Sequence, residues 1–153
     1  MKIVIASGYF DPLNGSGHIE YLKLSKNIAG VDGKLIVIVN NDEQAILKKG
    51  KYFMKCDERI NIIKELRDVD DIIKSIDLDR TVCKTIELVH EKYTNIFKNT
   101  NEKLDIWFSN GGDQFNDNIP EKPICEKLGI KLVDNLGEKI SSSSWLTGLK
   151  SLK

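Results

Sequence analysis

Apolar runs rich in β-branched residues recur five times along the chain, and stretches with helical periodicity lie between most of them. The runs cover residues 2–6, 34–39, 71–76, 105–108 and 131–133. Such an alternation predicts parallel strands joined by right-handed crossovers. We therefore predict an α/β fold, a Rossmann-like, doubly wound parallel sheet of five strands with helices on both faces.

Helical spacing of apolar side chains predicts the helices between these strands. The predicted helices cover residues 18–29, 57–67, 81–93 and 120–128. Ile19, Leu22 and Ile28 lie on the predicted buried face of the first helix, and Pro120 suits the first turn of the last one. No repeat or linker divides the 153 residues, so residues 1–153 are expected to form a single domain.

The charge and cysteine content of the chain indicate which kinds of binding partner and which cellular compartment to expect. The 23 basic and 23 acidic residues cancel, so no bulk field attracts nucleic acid or an anionic membrane. No apolar run approaches the roughly 20 residues of a membrane span. Three cysteines without a C-x-x-C pair fit a reducing compartment. We expect a cytoplasmic enzyme with buried or half-buried thiols and neither a nucleic-acid nor a membrane partner.

A loop rich in glycine joins the first predicted strand to the first helix. This glycine loop, residues 8–18, reads Gly-Tyr-Phe-Asp-Pro-Leu-Asn-Gly-Ser-Gly-His. Backbone N–H groups and the positive end of a helix dipole converge above such a strand end, which favours phosphate binding. His18 can donate to a phosphoryl oxygen as negative charge builds there. A lone histidine is usually structural, but its position in this loop favours a functional role.

Three other polar segments follow predicted strands, and ligands of open α/β sheets bind at such strand ends. A lysine segment, residues 48–51, follows the second strand, and Gly111, Gly112 and Asp113 follow the fourth. A run of serines, residues 141–144, opens a helix after the fifth strand. Four serines exceed what one helix cap needs, so their hydroxyl and N–H groups predict a second phosphate site.

These segments resemble the HxGH nucleotidyltransferases, whose cytidylyltransferase-like members open with a strand followed by Gly-x-Phe-Asp-x-x-His-x-Gly-His. The residues that match this pattern are Gly8, Phe10, Asp11, Gly17 and His18. Asn14 stands where the family has its first histidine, and the loop has one residue more than the pattern before Gly17. The lysine segment, the Gly-Gly-Asp sequence and the serine run follow in the family's order.

The resemblance implies a nucleotide site built from these segments. The implied nucleotide-binding residues are Gly8, Tyr9, Phe10, Asp11, Gly17, His18, Gly111, Gly112, Asp113, Lys139, Ser141, Ser142, Ser143 and Ser144. In the family, the Gly-Gly-Asp sequence lies against the base and ribose, and the serine run binds the β- and γ-phosphates.

The resemblance also implies that His18, Lys51 and Asn14 form the catalytic set. Asn14 can donate through its amide but cannot become cationic. Loss of one such donor typically costs about 2.7–4 kcal/mol of barrier, so the change at this position predicts slower catalysis.

Three cations are expected to bind the phosphate of the acceptor substrate, namely Lys49, Arg59 and Arg80. Arg59 is the favoured arginine and Arg67 is interpreted as structural, although the sequence does not decide between Arg59 and Arg80.

Together these features predict an enzyme that transfers CMP or AMP from CTP or ATP to a small phosphorylated acceptor, such as glycerol 3-phosphate or a sugar phosphate, and releases pyrophosphate. Mg²⁺ is expected to arrive with the nucleoside triphosphate, and the family suggests a homodimer. One alternative is a nucleotide-binding module of the same fold without turnover. Another is a flavodoxin-like binding protein that shares only the strand–loop–helix geometry.

Overall fold

A computed structural model of the protein describes residues 1–111 and 119–136. Its strands are β1 (Lys2–Gly8), β2 (Lys34–Val39), β3 (Asp71–Lys74), β4 (Asp105–Gly111) and β5 (Lys131–Leu136). Its helices are α1 (Glu20–Ala29), α2 (Asp42–Lys49), α3 (Cys56–Ile63), α4 (Cys83–Phe97) and α5 (Lys122–Leu128). A π-helical turn, Gly15–Ile19, precedes α1. None of the helices in these two ranges is long and apolar enough to cross a membrane.

The five strands form one sheet in the order β3-β2-β1-β4-β5, and every neighbouring pair is parallel. The chain first winds from β1 towards β3 and then returns past β1 to β4 and β5. The winding direction therefore reverses between β1 and β4, where open sheets of this kind bind ligands. The predicted Rossmann-like α/β fold is confirmed.

Alternate residues of the central strand face opposite sides of the sheet and pack against different helices. Ile3 and Ile5 belong to a buried cluster with residues of α4 and α5. Val4 and Ala6 belong to a second cluster with residues of α1 and α3. Because helices cover both faces, the strands can be apolar along their whole length.

The first helix differs from its predicted pattern at its N-terminal end. A π-helical turn occupies residues 15–19, and the α-helix begins only at Glu20. Leu22 is buried as predicted, whereas Ile19 and Ile28 are only half-buried. Tyr21 is buried in their place, so this face of the helix is less purely apolar than its sequence pattern indicates.

Two elements end earlier than their apolar patterns predict. β3 ends at Lys74 because the following segment turns towards α4, where the Asp77 carboxylate accepts hydrogen bonds from the backbone N–H groups of Lys84 and Thr85, at 2.8 and 2.9 Å. α3 ends at Ile63, and the chain continues to Leu66 in turns closed by i to i+3 hydrogen bonds. Local hydrogen bonds therefore override the apolar spacing at both ends.

The three cysteines have the burial that the sequence predicts. Cys56 and Cys125 are buried, Cys83 is half-buried, and all three are free thiols. Burial raises the pKa of Cys125 to about 12, so this group stays a neutral thiol and packs as a small apolar side chain.

Gly33 marks a close approach of the end of α1 to the start of the sheet. A Cβ atom at this position would lie 2.8 Å from the carbonyl oxygen of Lys2 and still closer to that of Ala29. Both neighbours are backbone atoms, so Gly33→Ala is expected to lower the free energy of unfolding by about 1–3 kcal/mol. Urea unfolding followed by circular dichroism measures this loss. Gly15→Ala is the matched control, because a Cβ there meets nothing within 4 Å, and equal stability of the two variants would contradict the prediction.

Candidate nucleotide-binding site

The glycine loop and the lysine segment lie next to each other at the carboxyl ends of β1 and β2. The Lys48 ammonium lies over the Tyr9 ring, 4.4 Å from its centroid. Lys48 and Lys49 are also close enough to His18 to change its pKa. The structure therefore brings together two segments that the sequence places about 30 residues apart, as expected for strand ends on one edge of a parallel sheet.

Asn14 organises the turn that carries His18. Its side-chain oxygen accepts hydrogen bonds from the backbone N–H groups of Gly17 (2.8 Å) and His18 (3.3 Å), as a helix N-cap does. The N–H of Ile19 reaches back to the carbonyl of Asn14 at 3.1 Å, an i to i+5 bond. The turn is therefore one residue wider than an α-helical turn.

His18 is a half-buried imidazole in a positively charged environment. Burial and the charges of Lys49 and Lys48 lower its pKa to about 4, and a hydrogen bond with the Pro12 backbone opposes this shift. The ring makes an edge contact with Phe10, at 5.0 Å between centroids. An imidazole with so low a pKa is neutral at pH 7.

Gly8 and Phe10 shape the loop through packing. Phe10 has a φ angle of 51°, which is unusual for a residue with a side chain, and it is buried. A Cβ atom on Gly8 would come within 2.9 Å of the Phe10 ring. A side chain at position 8 would therefore displace the buried Phe10 ring.

The structure revises the expected role of Asp11. This buried carboxylate accepts hydrogen bonds from the backbone N–H groups of Phe53 (2.7 Å) and Met54 (2.6 Å). Both of its oxygens are therefore engaged with the chain that follows the lysine segment. Asp11 fixes the position of that chain, and we expect it to act on a nucleotide only through the loop that it anchors.

The expectation that Arg59 binds the acceptor is wrong. The side chain is completely buried. Its guanidinium donates to four groups, namely the carbonyls of Met54 (3.0 Å), Tyr9 (2.6 Å) and Asn40 (2.8 Å) and the Asp42 carboxylate (3.1 Å). Arg67, interpreted from the sequence as the structural arginine, is exposed. Arg59 is thus the structural arginine, because its guanidinium joins the loops of the site.

The remaining cations lie on the outer side of the site. Lys49 is half-buried at the end of α2, whereas Lys51 and Arg80 are exposed. The positive charge of Arg80 counteracts the effect of burial on the pKa of Tyr9, which places Arg80 near the glycine loop. These three residues stay candidates for contact with phosphate, and Lys48 joins them although the sequence did not single it out.

Tyr21 is a residue of the site that sequence reasoning missed. Its hydroxyl donates to the carbonyl of Ser109 (2.6 Å) and accepts from the N–H of Ser7 (3.2 Å), and burial raises its pKa to about 12. The side chain therefore links β1 and β4 where the winding direction reverses. Its ring also lies against Gly111, where a Cβ would be 2.9 Å away. The apolar periodicity of the helix does not indicate that the Tyr21 hydroxyl links the two strands.

Tyr9 and Glu121 form a second group that the sequence did not connect. The Tyr9 hydroxyl is buried and has no hydrogen-bond partner in the described part of the chain. Burial raises the pKa of Glu121, and the Glu121 charge is close enough to raise that of Tyr9. Tyr9 is therefore close both to Lys48 of the lysine segment and to Glu121.

Several predicted nucleotide-binding residues lie outside the described residues. These are Gly112, Asp113, Lys139, Ser141, Ser142, Ser143 and Ser144, and their roles stay predictions. Within residues 1–111 and 119–136, no three His, Cys, Asp or Glu side chains are grouped so that they could bind a metal ion.

Arg59 and Arg67 provide a matched pair of substitutions. Arg59→Ala would leave buried carbonyls without donors, so we expect it to lower the free energy of unfolding by about 3–5 kcal/mol. Arg67→Ala, at an exposed position, is expected to change it by less than about 0.5 kcal/mol. Urea unfolding of both variants measures the difference. Similar stabilities would mean that Arg59 is not a structural link between the loops.

Comparisons of the sequence with known proteins agree with a single family. The family described as Cytidylyltransferase-like matches residues 5–144. The chain is similar to an FAD synthase from Methanothermus fervidus, with 33% identity over 85 residues, 56% of this chain and 57% of that protein. It is also similar to an FAD synthase from Korarchaeum cryptofilum, with 37% identity over 71 residues, 46% of this chain and 48% of that protein. The chain therefore spans about half the length of these two relatives.

A solved structure extends the similarity to most of the chain. A lipopolysaccharide core biosynthesis protein from Thermoplasma volcanium superposes with a TM-score of 0.63 and 27% identity, over 90% of this chain and 98% of that one. The family match includes the glycine loop, the lysine segment and the strand ends described above. This chain belongs to the cytidylyltransferase-like family.

Proposed function

We propose that this protein transfers a nucleotidyl group, CMP or AMP, from CTP or ATP to a small phosphorylated acceptor and releases pyrophosphate. The observation that carries the proposal is the position of His18, a neutral hydrogen-bond donor at the start of a helix, beside Lys48 and Lys49. A neutral donor and two cations at a helix N-terminus match the needs of a phosphoryl group that gains negative charge. Membership of the cytidylyltransferase-like family supports the same reaction.

The reaction needs positioning and charge stabilisation rather than a covalent nucleophile. A phosphate oxygen of the acceptor attacks the α-phosphorus, and the bond between that phosphorus and the bridging oxygen breaks, so that pyrophosphate leaves. His18 donates to an α-phosphoryl oxygen, while Lys49 and Lys51 neutralise the charge of the triphosphate and acceptor. Mg²⁺ on the triphosphate oxygens would supply further neutralisation there. This fits the described part of the site, where no three His, Cys, Asp or Glu side chains are grouped so that they could bind a metal ion and where the Asp11 carboxylate is already engaged by backbone N–H groups.

The acceptor is proposed as a class, a small molecule that ends in a phosphate. The two relatives named FAD synthase support FMN as acceptor and ATP as donor, since FAD is AMP joined to FMN. The lipopolysaccharide core biosynthesis protein supports a sugar phosphate instead, and glycerol 3-phosphate belongs to the same class. Arg80, with Lys49, is the proposed contact for the acceptor phosphate. A homodimer and a cytoplasmic location complete the proposal; they rest on the family resemblance and on the free thiols.

A nucleotide-binding module without turnover is the second candidate function. One observation favours it: the Asn14 side chain caps the turn and faces His18, so the amide does not supply the donor that the family's first histidine would offer.

Pyrophosphate release distinguishes these functions. Purified protein is incubated with Mg²⁺, with ATP or CTP, and with FMN, a sugar 1-phosphate or glycerol 3-phosphate. We expect release that depends on one acceptor and one nucleotide, and a decrease of about 10²–10³-fold in kcat for His18→Ala. His90→Ala is the control, because His90 lies in α4, away from the glycine loop. Triphosphate binding without release across the panel would identify the module without turnover.

A further inference from the structure

The orientation of the Asn14 amide is fixed by its own hydrogen bonds. Its Oδ1 atom accepts from the N–H groups of Gly17 and His18. A flipped amide would place its NH₂ group against those two donors, so the observed orientation is the only one that forms both bonds. The other end of the amide, Nδ2, is therefore a donor, and it lies 3.3 Å from Nδ1 of His18.

Two donors thus face the same ring nitrogen. The backbone N–H of Asn14 lies 3.2 Å from Nδ1 of His18, in addition to the Nδ2 group. A ring nitrogen that faces donors on both sides uses its lone pair, because an added proton would point at two other protons. In a neutral imidazole the single proton is then on the other nitrogen, Nε2.

We propose that Asn14 is a positioning residue that keeps His18 neutral with its proton on Nε2, so that the proton His18 can offer a phosphoryl group is the one on Nε2. This inference rests on the proposed function for its purpose, but the arrangement itself is a property of the protein without substrate. It assigns Asn14 a role that differs from the one predicted for it. Asn14 does not replace a missing ligand of the phosphate; it determines which proton the remaining histidine presents.

The other groups around His18, with one exception, do not favour a positively charged ring either. Lys48 and Lys49 on α2 repel a positive imidazolium, and burial disfavours it as well. The Phe10 ring contacts the imidazole edge-on and carries no charge. The Pro12 backbone is the exception, because its carbonyl accepts a ring N–H and so favours the protonated ring. Since Nδ1 faces two donors, the proton that this carbonyl accepts is the one on Nε2. The two Asn14 donors oppose a ring proton at Nδ1.

Asn14→Asp tests this assignment with little change of shape. An aspartate keeps the capping oxygen but replaces the Nδ2 donor with a charged acceptor. A negative charge beside Nδ1 of His18 raises the pKa of the ring and favours a proton on Nδ1. Asn14→Ser keeps a capping oxygen and simply removes the Nδ2 donor. Both are made in a His90→Gln background, so that His18 is the single histidine of the chain.

Nuclear magnetic resonance of ¹⁵N-labelled histidine reports both the tautomer and the titration of His18. For the parent protein we expect an unprotonated Nδ1, a protonated Nε2 and a titration midpoint near 4. For Asn14→Asp we expect a midpoint raised by about one to three units and a proton on Nδ1, with a smaller rise for Asn14→Ser. A parent protein with its proton on Nδ1, or an aspartate variant with an unchanged midpoint, would overturn the assignment.

Activity provides a second readout. In the pyrophosphate assay, Asn14→Asp is expected to lower kcat more than it raises KM, and its pH profile is expected to gain a break at the raised His18 midpoint. Asn14→Ser is expected to show no such break. An identical pH profile in the aspartate variant and the parent would contradict the positioning role. If the parent releases no pyrophosphate while its tautomer is as expected, the proposed function fails and the assignment of the His18 proton stands.

Discussion

The guanidinium of Arg59 is the interaction on which the geometry of the site depends. It joins the glycine loop at Tyr9, the end of β2 at Asn40 and the chain after the lysine segment at Met54. A buried charge is costly unless its donors are paired, and here four acceptors surround it, including the Asp42 carboxylate. The loops that would bind phosphate therefore share one internal link, and none of them can move far without breaking a bond to a buried cation.

The Asp11 side chain provides a second link between these loops. Its carboxylate accepts hydrogen bonds from the backbone of Phe53 and Met54, so it joins the glycine loop to the chain that follows the lysine segment. The Tyr21 hydroxyl likewise joins β1 to β4 through its two hydrogen bonds. Within residues 1–111 and 119–136, the site is thus a set of loops connected by buried polar side chains. This is consistent with a protein whose net charge is +0 and whose phosphate site is built locally.

The sequence predicted what depends on local patterns. Apolar runs located the five described strands, and their alternation with helices predicted a doubly wound parallel sheet, although not the order of its strands. It could not predict where the Arg59 side chain points, because two of the three carbonyls that it binds lie 50 and 19 residues away along the chain. The same limit applies to Tyr21, whose partner Ser109 is 88 residues away. Asn14 shows a different limit: the family pattern identified the position, whereas the hydrogen bonds within the turn determine its role.

The lysine segment is fixed on both sides. The N–H of Gly50 closes α2 on the carbonyl of Ile46, and the N–H of Phe53 is bound to Asp11. Only Lys51 and Tyr52 lie between these points, and a residue spans at most roughly 3.6 Å, so the backbone here is too short to form a swinging lid. Any adjustment of this part of the site must therefore come from the long, rotatable lysine side chains, because the backbone that carries them is held at both ends.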